Sequence, residues 1–125
     1  MNLGEYLKAA ASTPWTPGIH DCSAWPARWA GIQIPSYSTD EEAERLVADG
    51  GGLVALWSKW IGDSLRRISE PQAGDVGIIR VITLKGRAEA GAIFTGQRWA
   101  FLTPAGLALV PTAPIAVWRV PCPKH

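Results

Sequence analysis

The spacing of apolar residues changes at about Leu65, from a helical period to short β-rich runs. At the start of the chain, Asn2 followed by Glu5 predicts a capped helix that runs to about Ser12. Its single apolar stripe consists of Leu3, Tyr6, Leu7 and Ala10. The first predicted element is therefore an amphipathic helix.

Three more helices are predicted before the change. The segment from Cys22 to about Ala30 has the pattern of a short buried helix, and proline is tolerated in its first turn. Residues 38–42 begin a further helix, because hydroxyl and acidic residues cluster there, and it should end near the three glycines at 50–52. The last helix is expected from Leu53 to about Leu65.

The remainder of the chain predicts strands, with Lys85-Gly86-Arg87 as a polar hairpin tip. The β-rich segments are residues 75–82, 92–94, 99–102, 107–110 and 116–120. Helices first and strands second predict an α+β fold, in which N-terminal helices pack on a C-terminal antiparallel sheet. A chain of 125 residues fits one domain, so we expect a single unit over residues 1–125.

Composition narrows the classes of partner. The net charge of +1 creates no global field for nucleic acid or an anionic membrane. No stretch is long and apolar enough to span a bilayer, and we expect no signal peptide because Glu5 and Lys8 precede any apolar run. Seven tryptophans are many for this length, and we expect mainly core positions for Trp25, Trp29, Trp57 and Trp60.

The candidate chemistry lies in the segment His20-Asp21-Cys22-Ser23. A cysteine at a helix N-terminus is favoured as a thiolate nucleophile, but it needs a histidine within hydrogen-bond reach. His20 and His125 are the two histidines of the chain. His20 stands two residues before Cys22, so action on the thiol would require a sharp backbone bend. The sequence therefore favours His20 as a residue that caps or hydrogen-bonds its own loop.

Two other interpretations of the cysteines stay open. A tetrahedral zinc site can use two histidines and two cysteines as ligands, and the chain has two of each: His20, Cys22, Cys122 and His125. Their spacing differs from that of a familiar zinc finger, so the sequence favours no metal and no cofactor. A Cys22–Cys122 disulfide is also conceivable in an oxidising compartment, although nothing in the sequence requires it.

Several short motifs occur in an order that resembles the NlpC-type papain-like cysteine peptidases. They are Asp21-Cys22-Ser23, Gly74-Asp75-Val76 at a strand start, and residues 91–96 (Gly-Ala-Ile-Phe-Thr-Gly). The resemblance spans roughly residues 15–120. It implies a papain-like fold with Cys22 at the start of the nucleophile helix, followed by strands that present a base histidine and an orienting residue.

Transferred to this chain, the pattern places Ala90 at the base position and Leu102 at the orienting position. Neither side chain has a lone pair or an exchangeable proton. No histidine lies between His20 and His125, so a small shift of the alignment does not restore a base. The resemblance thus implies a pseudo-peptidase in which Cys22 is a remnant that packs as a small hydrophobic residue.

A compact phage and prophage subgroup of that family is the most similar. Its members share the His-Asp-Cys motif, a Gly-Gly turn like Gly51-Gly52 and a Trp-Arg-Val ending like residues 118–120. This resemblance implies a non-catalytic structural component of a phage tail, with the tail tip as its expected place. The expected partners are other tail proteins, with peptidoglycan as a further contact. The expected location is the virion, or the host cytoplasm during assembly. The alternative is an active peptidase or amidase that cleaves peptidoglycan with Cys22 as its nucleophile.

Overall fold

The structure is a computed structural model that describes residues 1–84 and 86–121. Four helices precede six strands, which confirms the predicted α+β class. The helices are α1 Leu3–Ala11, α2 Ala24–Ala30, α3 Asp40–Asp49 and α4 Leu53–Ile61. The strands are β1 Arg66–Ile68, β2 Val76–Thr83, β3 Gly86–Phe94, β4 Trp99–Thr103, β5 Gly106–Val110 and β6 Ala116–Arg119.

The six strands form one antiparallel sheet in the order β1-β6-β2-β3-β4-β5. β2 and β3 pair along their whole length, from Val76 opposite Ile93 to Thr83 opposite Gly86. Their neighbours are shorter: β6 pairs with β2 only over residues 76–78, and β4 pairs with β3 only at Ile93 and Phe94. The β2–β3 hairpin therefore extends beyond the rest of the sheet.

Alternation along the strands divides the buried side chains into two clusters. The helix-side cluster joins Trp25 of α2 and Trp57 of α4 to strand residues that include Ile78, Ile93 and Leu102. The second cluster uses the alternate strand positions and contains Ile79, Ala90, Ala92, Trp99, Phe101 and Val117. Of the four predicted core tryptophans, Trp25 and Trp57 are buried, whereas Trp29 and Trp60 pack against the core while partly exposed.

Local signals account for the helix ends that were predicted correctly. Asn2 and Glu5 form a reciprocal capping box at the start of α1. Thr39 accepts a hydrogen bond from the backbone N–H of Glu42 and so caps α3. α3 contributes no buried residue, which makes it a surface helix.

Some boundaries differ from the sequence prediction. α4 ends at Ile61 because Gly62 adopts a positive φ of 53°, so the predicted extension to Leu65 is wrong. β1 was not predicted, since three residues that begin with two arginines carry no strand pattern. β3 begins at Gly86, within the predicted hairpin tip, and Lys85 lies outside the described residues.

Asp75 joins the start of β2 to the end of β6. Its buried carboxylate accepts hydrogen bonds from the backbone N–H groups of Gln72 and Val120 and from Arg119 Nε at 3.0 Å. Asp75 thus caps the turn that precedes β2, and its pairing with Arg119 ties that turn to β6. In the described part of the chain, no helix has the length and apolar character needed to cross a membrane.

Candidate functional site

The candidate site lies at the N-terminal end of α2, where Asp21 organises the backbone. Asp21 is 3% exposed. Its Oδ1 accepts hydrogen bonds from the N–H groups of Ser23 at 3.0 Å and Ala24 at 2.8 Å. Ser23 occupies the position before the helix but makes no side-chain cap, so the carboxylate of Asp21 performs that function. The first helical residue is therefore Ala24 and not Cys22.

The second carboxylate oxygen of Asp21 fixes two loops. Its Oδ2 accepts hydrogen bonds from the N–H of Gly18 at 2.8 Å and from the hydroxyl of Tyr37 at 2.6 Å. Gly18 has a φ of +80°, and a Cβ at this position would lie 1.9 Å from the carbonyl oxygen of Tyr37. Only glycine permits that close approach. Burial and the hydrogen bond to Asp21 both raise the pKa of Tyr37, so its hydroxyl remains a donor at neutral pH.

Cys22 follows Asp21 and packs against the second cluster, which contains Ala90. Burial raises the pKa of the Cys22 thiol to about 11, and the negative charge of Asp21 acts in the same direction. A hydrogen bond from the backbone of Gly91 opposes this shift only in part. At pH 7 about one thiol in ten thousand is then ionised. The sulfur is therefore a thiol under physiological conditions.

Gly91 allows α2 and α4 to approach β3. A Cβ on this residue would lie 2.4 Å from the carbonyl oxygen of Cys22 and 2.4 Å from the ring of Trp57. Both distances are far below van der Waals contact. The glycine is thus required for the position of Cys22 against the sheet.

His20 is buried in the loop that precedes α2. It is 5% exposed, and burial lowers its pKa, which a hydrogen bond to the backbone of Ala10 partly opposes. Its Nε2 atom has no hydrogen-bond partner among the described residues, and no described hydrogen bond joins it to Cys22. Its backbone is bound to Thr16 in both directions, at 2.7 and 2.9 Å. The prediction that His20 holds its own loop agrees with these contacts.

The structure separates the two positions assigned to the missing partners of Cys22. Ala90 is 4% exposed and belongs to the second cluster. Leu102 belongs to the helix-side cluster instead. Successive residues of a strand point to opposite faces, so Phe101 and Thr103, not Leu102, share the face of Ala90. Ala90 and Leu102 therefore lie on opposite faces of the sheet.

Phe101 and Thr103 do not supply a base on the face of Ala90 either. Phe101 carries no polar atom, and the hydroxyl of Thr103 donates to the carbonyl of Gly106 and accepts from the N–H of Ala105. Within residues 1–84 and 86–121, no group of three or more histidine, cysteine or acidic residues is arranged to hold a metal ion. The zinc alternative also involves Cys122 and His125, which lie outside the described residues.

Sequence reasoning identified Cys22 and Ala90 but missed two residues that shape the site. Asp21 was noted only as part of a motif, although acidic residues before a helix are a known capping signal. Tyr37 lies 16 residues from Asp21 in a loop without periodicity, so no local pattern indicated the contact.

Comparison with known proteins gives one family match. A sequence model of the DUF6950 family, described as a domain of unknown function, matches residues 1–120. No curated protein and no solved structure matches the chain. The match covers the helices, the sheet and the whole environment of Cys22.

Proposed function

The chain belongs to the DUF6950 family, and we propose that it is a non-catalytic structural component of a phage tail built on a cysteine-peptidase-like fold. The observation that carries the non-catalytic part is the combination of Cys22 and Ala90. The thiol has a pKa of about 11, and Ala90, which the resemblance aligns with the base, has no polar side-chain atom. Without a base, a neutral thiol is a weak nucleophile.

The residues that carry the phage-tail resemblance have structural functions in the fold. Asp21 caps α2 through its Oδ1 atom. Gly51 and Gly52 have φ angles of 84° and 108° and form the turn between α3 and α4. Arg119 binds Asp75 and donates to the carbonyl of Glu70. These contacts support the proposal that the chain keeps a peptidase-like fold without the catalytic chemistry.

The enzymatic alternative is tested directly with peptidoglycan fragments. Purified wild-type protein and Cys22→Ala are incubated with muropeptides, and the products are separated by mass. We expect no cleavage by either protein above the buffer blank. Cleavage by the wild type that Cys22→Ala lacks would overturn the non-catalytic proposal and favour an active peptidase or amidase.

The assembly part is tested in the phage or prophage that encodes the chain. Deletion of the gene should give particles with absent or defective tails in electron micrographs. Complementation with the wild type should restore tails, and Cys22→Ala should restore them equally well because the sulfur has no chemical function. Normal tails after deletion would contradict an assembly function. Rescue by the wild type but not by a folded Cys22→Ala would contradict a non-catalytic one.

Mass spectrometry of purified particles addresses the location. We expect peptides of this chain to copurify with complete particles and to resist removal by high salt. A chain found only in the host lysate would argue against a structural place in the virion and for a transient function in assembly.

A further inference from the structure

The end of the β2–β3 hairpin projects from the body of the protein. In β2 the residues are buried from Val76 to Ile79 and exposed or partly exposed from Arg80 to Thr83. β3 shows the matching pattern, because its buried residues are confined to 90–93. Four strand residues span about 13 Å, so the hairpin reaches about that far beyond the last buried residue of β2.

Two aliphatic side chains lie at the end of this projection. Ile82 is 88% exposed, and Leu84, in the turn that follows β2, is fully exposed. They are the most exposed of the large apolar side chains in the described part of the chain. Neither belongs to one of the two clusters of buried side chains. Removal of both from water would therefore be favourable.

Cationic residues accompany these two side chains. Arg87 lies directly opposite Ile82 in the β2–β3 ladder, and such cross-strand neighbours share a face. Among the described residues, Arg87 forms no salt bridge. Arg80, in contrast, lies opposite Glu89, the one acidic residue in the sequence of the hairpin. With Lys85, that sequence carries three cations and one anion. The end of the hairpin is therefore apolar and locally positive.

This combination is complementary to the surface of an anionic membrane. Aliphatic side chains partition into the hydrocarbon layer, while an arginine extends its stem so that the guanidinium stays among the lipid phosphates. The polar layer on each side of a bilayer is about 5 to about 8 Å thick. A projection of about 13 Å is thus long enough to pass through it.

Other classes of macromolecule fit the hairpin less well. Proteins that bind single-stranded nucleic acid stack bases on aromatic side chains, and residues 79–90 contain none. Hot spots of protein interfaces are enriched in Trp and Tyr, which this segment also lacks, and leucine is under-represented there. The residue types therefore favour a lipid surface.

We propose that the end of the β2–β3 hairpin inserts into the surface of an anionic lipid bilayer. Ile82 and Leu84 enter the outer part of the hydrocarbon layer, and Arg87 binds lipid phosphate beside them. The contact is peripheral and uses the hairpin alone. Because the net charge of the chain is only +1, the attraction is local to the hairpin and does not come from the whole protein.

Cosedimentation with unilamellar vesicles measures this binding. One set of vesicles contains phosphatidylglycerol and phosphatidylcholine in equal amounts, and the other contains phosphatidylcholine alone. We expect the wild type to bind the anionic vesicles at least ~10-fold more tightly, since each cation near an anionic surface strengthens binding about fivefold. Added salt should reduce the difference between the two sets by screening the cations.

Substitutions separate the apolar and the electrostatic parts. Ile82→Ser and Leu84→Ser should each lower the partition coefficient on anionic vesicles at least ~10-fold, because an aliphatic side chain no longer leaves water. Arg87→Gln should lower it about fivefold. Leu109→Ser, on the exposed side of β5, and Arg98→Gln, in the exposed turn between β3 and β4, are the matched controls. Both should bind as the wild type does.

Three outcomes would overturn the proposal. The first is a wild type that does not bind the anionic vesicles. The second is equal binding by the wild type and folded Leu84→Ser and Ile82→Ser, because adsorption would then be electrostatic alone. The third is binding to a DNA duplex but not to vesicles, which would indicate a nucleic-acid partner instead. Circular dichroism establishes that each variant is folded before its binding is compared.

Fluorescence tests which part of the protein enters the bilayer. In a background of Cys22→Ala and Cys122→Ala, Leu84→Cys is labelled with nitrobenzoxadiazole. We expect its emission to shift to the blue on anionic vesicles and to be quenched by nitroxides on the lipid acyl chains. The same label on Arg98→Cys should show neither change. Quenching at position 98 but not at position 84 would contradict insertion of the hairpin end.

Discussion

The hydroxyl of Tyr37 donates a 2.6 Å hydrogen bond to Oδ2 of Asp21, the carboxylate whose other oxygen caps α2. One buried side chain thus holds a helix start, a tight loop and a distant segment together. The environment of Cys22 is built around this carboxylate, and its energetics follow from the four donors that it satisfies.

Replacement of Asp21 by alanine should therefore be strongly destabilising. It leaves buried donors unpaired and removes the cap of α2, which together cost about 3 kcal/mol of the free energy of unfolding. Tyr37→Phe removes one of the four bonds and should cost about 1 kcal/mol. Urea denaturation measures both. Asp49→Ala, on the exposed end of α3, is the matched control and should change stability by less than about 0.5 kcal/mol.

A Cβ at position 91 cannot be accommodated. Gly91→Ala should destabilise the fold by about 2 kcal/mol or more, because the methyl group overlaps the Cys22 carbonyl and the ring of Trp57. Gly4→Ala is the matched control, since its Cβ would lie 3.5 Å from the nearest atom, Oδ1 of Asn2. That change should be neutral or stabilising by up to about 1 kcal/mol. Equal thermal midpoints for the two variants would contradict the packing described at Gly91.

The thiol of Cys22 should react slowly with alkylating reagents. In a Cys122→Ser background, the rate with iodoacetamide should rise about tenfold per pH unit from pH 7 to about pH 10, since the pKa of Cys22 is about 11. The same protein in denaturant should reach its plateau near the ordinary thiol pKa. Fast alkylation of the native protein at pH 7 would show an activated cysteine instead.

The same pKa has a consequence for stability at high pH. The folded thiol holds its proton above the pH at which the unfolded thiol loses it, so the unfolded state binds fewer protons in that window. Wild-type stability should therefore fall, relative to Cys22→Ser, as pH rises from the ordinary thiol pKa towards about 11. Parallel stability curves for the two proteins over this window would contradict the raised pKa.

His20 should make the free energy of unfolding depend on pH in the acidic range. Burial lowers the pKa of its imidazole, so below the ordinary histidine pKa the unfolded state binds a proton that the folded state resists. Wild-type stability should fall as pH decreases through that window. His20→Gln cannot gain this proton and should lose less stability between about pH 7 and about pH 5. The comparison uses urea midpoints, and an identical pH dependence of the two proteins would refute the prediction.

The sequence predicted those parts of the structure that short-range signals determine. The capping box at Asn2 and the hydroxyl–acid cluster at Thr39 located α1 and α3 within a few residues. The apolar pattern placed the second helix from Cys22 to about Ala30, and α2 begins two residues later, at Ala24.

What the sequence missed depends on long-range contacts. The Tyr37–Asp21 bond joins residues that no periodic pattern relates. The face of β4 on which Leu102 lies also depends on strand pairing, because a displacement of one residue changes the face on which a side chain lies. β1 forms by antiparallel pairing with β6, because its own sequence carries no strand signal.

The absence of buried side chains in α3 has an evolutionary consequence. Apart from Val47, which packs against the core while partly exposed, substitutions along that helix leave the interior intact, so selection on packing acts there only weakly. Homologous chains should diverge most between residues 40 and 49, and this stretch is the natural place for an epitope tag or a fluorescent label. Amide protons in it should also exchange with solvent sooner than those of the central strands.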